Sequence, residues 1–321
     1  MIRPFTFSDL MLLNRYRYRG HFLDSTPTLT WGRAIVPVGA LLSTFSSLTG
    51  VFTSLEEGNG GDPLLGQVVH NLGSSFAHFT FLAPREKMHS PQLSELLEQL
   101  IARVGARGAQ SLIAEVNEDG PAFEALRKAG FSIYARQRIW KLVRAPEGGD
   151  SGEQWRAANA DDSLSVNLLC GSLVPGLVQQ VEPTPWDGLS GFVQYQSGEL
   201  RAYVDLRSGP RGMWMQPFVH LDVEDVEQHL AALIAQLRPR RKRPLYFCVR
   251  SYQEWLEGAV RELGAEEGPR QAVMVKRTAR NVKVEERHRV IEAEGRRTEP
   301  TIPIQFPSRI SSPELEMVSH D

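Results

Sequence analysis

Glu115 is the residue of this sequence whose surroundings best suit acid–base chemistry. It lies near the end of a short apolar run, Ser111–Val116, with Ile113 and Ala114 directly before it. Burial among such neighbours raises the pKa of a carboxyl into the range where it accepts a proton from an amine. The same residue can also be an ordinary glutamate that faces water at a strand end. Both interpretations stay open from the sequence.

The elements around Glu115 follow the order strand, helix, strand. The apolar run ends at Val116 and Asn117, a helix follows, and Gly130 stands where a left-handed residue ends a helix before Phe131 opens a strand. This segment resembles the GNAT acyltransferases, whose consensus there reads roughly L-E-V-x-x-x-N-x-x-A-x-x-L-Y-x-x-x-G-F. The resemblance implies an α/β fold in which two splayed strands hold the pantetheine arm of an acyl-CoA. It also implies transfer of an acyl group to an amine.

The resemblance further implies a site for acetyl-CoA or another acyl-CoA, with Glu115 as the catalytic base. In the family, backbone N–H groups at the start of the third helix bind the pyrophosphate, and the helix dipole favours the anion there. The corresponding strand and loop here predict a set of cofactor-binding residues: Leu82, Pro84, Lys87, His89, Ser90, Gln92 and Asn117. The alternative is that Ser90 and Pro91 only cap a structural helix.

Two parts of the sequence repeat each other. Arg3 and Asp9 are six residues apart, and Arg156 and Asp162 repeat that spacing 153 residues later. Such self-similarity predicts two copies of one supersecondary order. Strand ends and helix ends recur at offsets of 133 or 134 residues, in the pairs Pro84 and Pro217, Val116 and Val249, and Gly130 and Gly264.

Each copy reads as strand, helices, three-strand meander, helix, strand, helix and strand. Apolar residues with helical spacing predict the long helix at 93–104 in the first copy and at 223–237 in the second. We therefore predict an α/β protein with a mixed sheet, built as two tandem GNAT-like domains. Their predicted bounds are 1–144 and 153–279, and 145–152 is a polar, glycine-containing linker.

The second copy is predicted to be degenerate. Asp222, Glu224 and Asp225 stand at the start of its long helix, where their carboxylates would repel a diphosphate. No glycine accompanies them. Cys248 occupies the position that corresponds to the base, and a buried, unreactive thiol is the expected state. The second copy is therefore not expected to bind CoA in the manner of the family.

The proton donor for the leaving thiolate is missing from its family position in both copies. The family usually has a tyrosine there, whereas this sequence has Leu126 in the first copy and Val260 in the second. Neither side chain can donate a proton. Water or another side chain would have to serve, and Tyr134 is the nearest phenol in the sequence.

Two functions follow as expectations. The first is an acyl-CoA-dependent N-acyltransferase-like protein that transfers an acetyl or other acyl group to a small-molecule or protein amine. The second is a catalytically inactive pseudo-acetyltransferase that acts as a scaffold or interaction module, since the fold alone does not establish activity.

Length, charge and cysteine content limit the class of protein and the compartment that the sequence fits. The chain has 321 residues, a formal charge of −2 and only two cysteines, Cys170 and Cys248. These values predict a cytoplasmic protein without a disulfide framework, a membrane span or a metal site. Arg238–Arg243 carries five charges of one sign, which favours a solvated loop over specific nucleic-acid binding.

Residues 280–321 are predicted to form an extended or disordered tail. Three prolines between 298 and 307 prevent a helix there, and the apolar periodicity of the preceding domains stops. The alternative is a strap that docks Ile302, Ile304 and Phe306 onto a domain or onto a protein partner.

Overall fold

A single thirteen-stranded sheet runs through the computed structural model, which describes residues 1–43, 49–57, 62–144, 155–182, 188–237 and 243–278. The strands of the first half of the chain are β1 Ile2–Pro4, β2 His21–Phe22, β3 Val51–Glu56, β4 Leu64–Val69, β5 Phe76–Ala83, β6 Ser111–Asn117 and β7 Ser132–Leu142. Those of the second half are β8 Arg156–Ala157, β9 Gly191–Gln196, β10 Glu199–Ser208, β11 Met213–Val219, β12 Leu245–Arg250 and β13 Arg270–Arg277.

From the three-strand meander onward, helices connect the strands in the same order in both halves. In the first half they are α1 Leu10–Tyr16, α2 Ser25–Trp31, α3 Ile35–Ser43, α4 Gln92–Ala106 and α5 Pro121–Lys128. In the second half they are α6 Ser163–Leu173, α7 Gly176–Gln179, α8 Val226–Leu237 and α9 Leu256–Glu262. The predicted helix at 93–104 is confirmed as α4. The helix predicted from residue 223 begins only at Val226, because the preceding residues form a turn in which Val223 N–H donates to the His220 carbonyl.

The sheet is symmetric about its central strand pair. Its order is β1-β3-β4-β5-β6-β13-β7-β12-β11-β10-β9-β8, with β2 paired to β5 beside this path. In the antiparallel pair of β7 and β13, Gln137 lies opposite Gln271, and the two side chains share a hydrogen bond of 2.9 Å. These residues are 134 apart, one of the offsets found in the sequence. The repeat therefore has a two-fold counterpart at the centre of the sheet.

Each half places its last strand beside the other half. The last strand of the first half, β7, pairs with β12, and the last strand of the second half, β13, pairs with β6. Sequence patterns do not contain this exchange, since either strand has the same alternation whichever neighbour it pairs with. The predicted bounds of the two domains stay a prediction.

Both faces of the sheet are covered by helices. On one face, α4 and α5 bury Leu96, Leu100 and Leu126 against β4, β5 and β6, and α8 and α9 pack in the same way on β11 and β12. On the other face, α1 and α3 cover the first half, and α6 and α7 cover the centre and the second half. Strand alternation then gives β6 two sides, with Leu112 and Ala114 toward α4 and Ile113 toward α6.

The repeated arginine and aspartate form the same structure in both halves. Arg3 donates two hydrogen bonds of 2.7 Å to Asp9, and Arg156 binds Asp162 at 2.7 and 2.5 Å. Each aspartate also accepts a backbone N–H three residues earlier, at 2.9 Å. The bidentate pair fixes the first strand of each half to the helical turn that follows it.

Three segments named in the sequence analysis lie outside the described residues. They are the predicted linker at 145–152, most of the basic run, 238–242, and the predicted tail at 280–321.

Candidate functional site

Strands β5 and β6 separate after a short parallel pairing. They pair only at Phe76–His78 against Ser111–Ile113. Beyond that point β5 has an extra residue, Thr80, because the register between β4 and β5 shifts there. The two strands then diverge and leave a wedge-shaped gap, which we call the first wedge.

Residues 21–23 lie in the first wedge. Leu23 N–H donates to the Thr80 carbonyl at 3.0 Å on one side, and Glu115 N–H donates to the Leu23 carbonyl at 2.8 Å on the other. Strand β2 also pairs with β5 at His21 opposite Leu82. Gly20 permits this close approach, since a Cβ there would lie 2.1 Å from a ring atom of Phe81. The chain itself therefore hydrogen-bonds the strand edges of this wedge.

The predicted cofactor loop follows the first wedge, and several of its N–H groups already have partners. Pro84 is buried, and Arg85 N–H donates to the Arg19 carbonyl at 2.8 Å. The N–H of Lys87 bonds to Pro84 at 3.1 Å, and that of Ser90 bonds to Lys87 at 3.0 Å. These groups are satisfied within the loop, as expected if Ser90 and its neighbours serve to start α4.

The remaining predicted cofactor residues do not converge on one point. Leu82 is fully buried, whereas His89 and Gln92 are exposed, and the Ser90 hydroxyl donates to the Gln92 side-chain oxygen. Asn117 is exposed at the end of β6, where its side chain accepts a hydrogen bond of 3.4 Å from Gln271. The assignment of these residues to a cofactor stays a prediction.

The second half has a corresponding separation of strands. Strands β11 and β12 pair at Met213–Met215 against Leu245–Phe247 and then diverge. We call this gap the second wedge. Residues beyond the divergence, Gln216 and Phe218 on β11 and Arg250 on β12, line a cavity on the face of the sheet covered by α6 and α7.

This central cavity has a volume of about 300 Å³ and receives residues from both halves of the chain. The first half contributes one group of polar residues, and the second half contributes another. They are Asp24, Thr26, His78 and Glu115 from the first half, and Glu182, Asp205, Arg207, Arg250 and Tyr252 from the second. Glu115, the predicted base, reaches it because strand alternation turns its side chain away from α4.

Two carboxyl groups lie at the first-half end of the central cavity. Burial raises the pKa of the Asp24 carboxyl to about 6, and the neighbouring Glu115 carboxylate adds to this rise while His78 opposes it. His78 Nδ1 lies 3.5 Å from an Asp24 oxygen. Glu115 accepts the Ser25 N–H at 2.8 Å and has no ion-pair partner among the described residues. This end can bind a cation and accept a proton from it.

A buried guanidinium lies at the second-half end. Arg250 is 5% exposed and bonds to both oxygens of Glu182 at 2.9 and 3.0 Å. Its Nε and Nη1 atoms are shielded from solvent and have no partner among the described residues. Buried N–H donors without acceptors are costly, so this arginine is suited to bind an oxygen anion that enters the cavity.

Cysteine chemistry is disfavoured in the cavity. Burial raises the pKa of Cys170, on its wall, to about 12, and it does the same for Cys248 beside it. Cys248 donates to the Gln137 side-chain oxygen at 3.4 Å. Both thiols are protonated at neutral pH and are poor nucleophiles. Within the described residues, no three histidine, cysteine or acidic side chains are grouped to hold a metal ion.

The phenols near the cavity differ in their availability. Leu126 and Val260, at the family's acid position, are fully buried in helix cores. Tyr134 donates to Glu182, and burial raises its pKa well above the ordinary value. Tyr252 lines the cavity, and burial raises its pKa too. Tyr203 lines the cavity as well, but its hydroxyl donates to the Ser190 carbonyl at 3.3 Å. Sequence analysis singled out neither Tyr203 nor Tyr252.

Sequence analysis identified Glu115 but missed the residues that share the central cavity with it. Asp24, His78 and Arg250 come from a loop and two strands that are far apart in the chain. For these three residues, the one signal in the sequence was an arginine at the end of an apolar strand. Arg250 directly follows the apolar run Leu245–Val249, and charged residues are rarely buried without a partner.

Solved structures show what this arrangement is similar to. The GCN5-related N-acetyltransferase from Sphaerobacter thermophilus matches at a TM-score of 0.52 with 11% identity, over 87% of this chain and 95% of that one. A tandem GNAT protein from the clavulanic acid biosynthesis pathway, solved without AcCoA, matches at 0.50 with 14% identity, over 87% and 98%. The chain has the GNAT fold. No protein-family model matches it, and no curated protein is a significant relative by sequence.

The GNAT fold confirms the predicted fold class, tandem α/β units on a mixed sheet. It also indicates which part of the family's cofactor site the first wedge corresponds to. The resemblance described above puts the pantetheine arm between the splayed strands, and here residues 21–23 make hydrogen bonds in that gap. In this conformation the first wedge does not fit the cofactor. Among the described residues, no helix combines the length and the apolar character needed to cross a membrane.

Proposed function

We propose that the protein is an N-acyltransferase-like protein whose acceptor, a small amine that also carries an acidic group, binds in the central cavity. One observation carries this proposal: a GNAT fold in which Asp24, with its pKa raised to about 6, lies beside Glu115 in a cavity shared by both halves. An α-amino acid is the simplest compound with both groups. A volume of about 300 Å³ is sufficient for it.

The two ends of the cavity bind opposite charges. The ammonium of the acceptor lies against Asp24 and Glu115, and its acidic group lies against the free Nε and Nη1 donors of Arg250. An ammonium must lose a proton before it can attack a carbonyl. A carboxylate with a raised pKa is the group that accepts that proton near neutral pH.

The acyl donor stays a prediction. Acetyl-CoA or another acyl-CoA supplies the acyl group in the family, and the predicted loop with Lys87 and Ser90 would hold its pyrophosphate. Because residues 21–23 occupy the first wedge, we derive no step through the donor. Donor binding at this wedge requires the segment to leave it.

A second function is favoured by the same occupied wedge. The protein would bind the amine without transferring a group to it, as a catalytically inactive pseudo-acetyltransferase that acts as an interaction module. Leu126 and Val260 support this function, since both family proton donors are absent.

Calorimetry and mass spectrometry on the full chain separate the two functions. A panel of amino acids is titrated alongside matched compounds that lack either the amine or the acid, and each is then incubated with acetyl-CoA. Amino acids should bind more tightly than either matched compound, and Arg250→Lys should reduce the difference because lysine lacks the planar fork. An acylated product identifies the transferase, and Glu115→Gln should then lower its turnover by about 100-fold.

The control variant is Glu254→Gln, which changes an exposed glutamate outside the central cavity and should leave both measurements unchanged. Amine binding without product, with every acyl-CoA tried, establishes the second function instead. If no amine binds to the wild-type protein, the central cavity is not an acceptor site and both proposals are wrong.

A further inference from the structure

A second cavity lies between α1, α2 and the start of β11 and β12. Its volume is about 560 Å³, larger than that of the central cavity. Among the described residues, no carboxylate lines it. Three arginines and three aromatic residues do: Arg17, Arg33, Arg211, Tyr18, Trp31 and Tyr246. We call it the arginine cavity. Its charge is opposite to that of the acidic end of the central cavity.

The three arginines have no ion-pair partner among the described residues, whereas neighbouring arginines do. Arg15 and Arg19 both bind Asp62, at 3.6 and 3.3 Å. Arg17 lies between them in sequence and faces the cavity instead. Its Nε is shielded from solvent and has no acceptor in the described part of the chain. Arg15 and Arg19 are therefore paired outside the cavity, whereas the Arg17 guanidinium between them is available for an anion.

Three aromatic side chains line the cavity together with these guanidinium groups, and we call them the aromatic platform. The Arg17 and Arg33 guanidinium carbons lie 4.7 and 5.1 Å from the centre of the Tyr18 ring. Tyr18 and Trp31 are each 56% exposed, so their rings are accessible to a ligand. A planar ring can stack on such a surface.

The backbone around the arginine cavity is held by close contacts between the two halves. Arg211 N–H donates to the Thr30 carbonyl at 2.8 Å. A Cβ at Gly209 would lie 2.4 Å from the same oxygen, so only glycine lets the β10–β11 turn approach α2. These contacts fix Arg211 relative to Trp31 and Arg33. The groups that face the cavity are thereby positioned before any ligand arrives.

The arginine cavity is separate from the cofactor loop predicted from the sequence. That loop follows the end of β5, and its second-half counterpart follows the end of β11. Arg211 and Tyr246 instead lie at the starts of β11 and β12. Arg243, the last residue of the basic run, bonds to Ser208 at 2.6 Å, on the same β10–β11 turn.

We propose that the arginine cavity binds a phosphorylated nucleotide, with the phosphates on Arg17, Arg33 and Arg211 and the base on the aromatic platform. Guanidinium groups bind phosphate with two parallel hydrogen bonds, and three of them match the charge of a diphosphate. The same chemistry is presented by a free nucleotide and by the adenosine diphosphate part of CoA. This proposal does not rest on the proposed function of the central cavity.

Isothermal titration calorimetry of the full chain tests the proposal with four probes: ADP, pyrophosphate, adenosine and CoA. ADP should bind more tightly than pyrophosphate or adenosine, and its affinity should fall as salt is raised. Arg17→Ala and Arg211→Ala should each weaken ADP binding by about tenfold, which corresponds to about 1.4 kcal/mol. Trp31→Ala should weaken ADP but not pyrophosphate. Arg15→Ala, which removes a paired arginine outside the cavity, is the matched control and should change affinity by less than about twofold.

Each outcome supports or overturns the proposal. Similar affinities for ADP and CoA identify a nucleotide site that accepts either source, and tighter CoA binding identifies the cofactor as the source. Tighter ADP binding identifies a free nucleotide. The proposal is wrong if ADP and pyrophosphate do not bind at millimolar concentration. It is also wrong if ADP binds to the Arg17→Ala and Arg211→Ala variants as tightly as to the wild-type protein.

Discussion

The two wedges of this protein arise from one repeated fold but have different surroundings. In the first half, residues 21–23 hydrogen-bond both strand edges, so the chain supplies the backbone partners that these edges require. In the second half, side chains beyond the point of divergence, including Gln216 and Arg250, face the central cavity instead. Both halves therefore keep the same diverging strands. The segment between the first helices of each half determines what its wedge can bind.

The comparison also explains how one cavity can serve both halves. The segment that occupies the first wedge continues into Asp24 and α2. Leu29 of α2 packs against a buried cluster that includes Trp214 and Cys248 of the second half. Asp24 is thereby brought toward the same cavity as Arg250. Residues 21–24 therefore both fill the first wedge and supply Asp24 to the acidic end of the cavity.

The largest expected effect tests the closed wedge. Leu23 is 1% exposed and belongs to the core formed by α4, α5 and the strands beneath them. Leu23→Ala should lower the free energy of unfolding by about 3 kcal/mol, because it leaves a void between β5 and β6. Chemical denaturation measures this value. Hydrogen exchange of the Leu23 and Glu115 amides should be slow in the wild-type protein and faster in the variant.

Leu168→Ala is the matched control for this change. Leu168 lies on α6 and is 67% exposed, so its removal should cost less than about 0.5 kcal/mol. Equal costs for the two variants would show that residues 21–23 do not occupy the wedge in solution. The contrast between the two wedges would then disappear.

A smaller effect tests what the two halves share. Asp9 and Asp162 are both buried beside an arginine, and those arginines hold the pKa of each carboxyl at about 2. Because the folded pKa lies below the unfolded value, the stabilisation is present above about pH 4 and is lost as the pH falls toward 2. Asp9→Ala and Asp162→Ala should each lower the free energy of unfolding by about 2 kcal/mol at pH 7.

Denaturation at pH 7 and pH 3 checks this prediction, with the exposed Asp119→Ala as the control. The two variants should lose about half of their difference from the wild-type protein at pH 3, whereas the control should differ little at either pH. A cost in one half only would mean that the repeated ion pair no longer has the same role in both copies.

The sequence predicted the elements of this fold better than their partners. The helical spacing of Leu93 to Val104 and the offsets that relate Val116 to Val249 depend on local patterns, and these patterns persist in the structure. The exchange of β7 and β13 left no such pattern. A strand shows its faces in its sequence but not its neighbour, and this is why the central Gln137 and Gln271 pair was not foreseen.

The candidate site was predictable at one residue. Glu115 was found because it interrupts an apolar strand, which is a local signal. His78 and Arg250 join the site only because strands far apart in the chain meet at the central cavity. A single sequence does not show which distant strands meet. The wedge segment was missed for a different reason. Three residues, His21 to Leu23, are too few for a strand period to be recognised.

The last expected effect is an increase in stability, and it tests the electrostatic cost of the acidic end of the cavity. The pKa of Asp24 is raised to about 6 by burial and by Glu115, so the folded state binds this proton more tightly than the unfolded state. A carboxyl with a raised pKa contributes its full stability below the unfolded value near pH 4, and that contribution is lost as the pH rises through 6. Asp24→Asn removes the ionisable group while keeping its shape, so it should raise the free energy of unfolding by about 3 kcal/mol at pH 8 and by only about 0.5 kcal/mol at pH 4. Denaturation curves across this range measure the difference, and the value at pH 4 is the internal control. A variant less stable than the wild-type protein at pH 8 would show that His78 stabilises the Asp24 carboxylate more than burial and Glu115 together destabilise it. The acidic end would then be a structural ion pair between Asp24 and His78. The first half would differ from the second only in having a filled wedge.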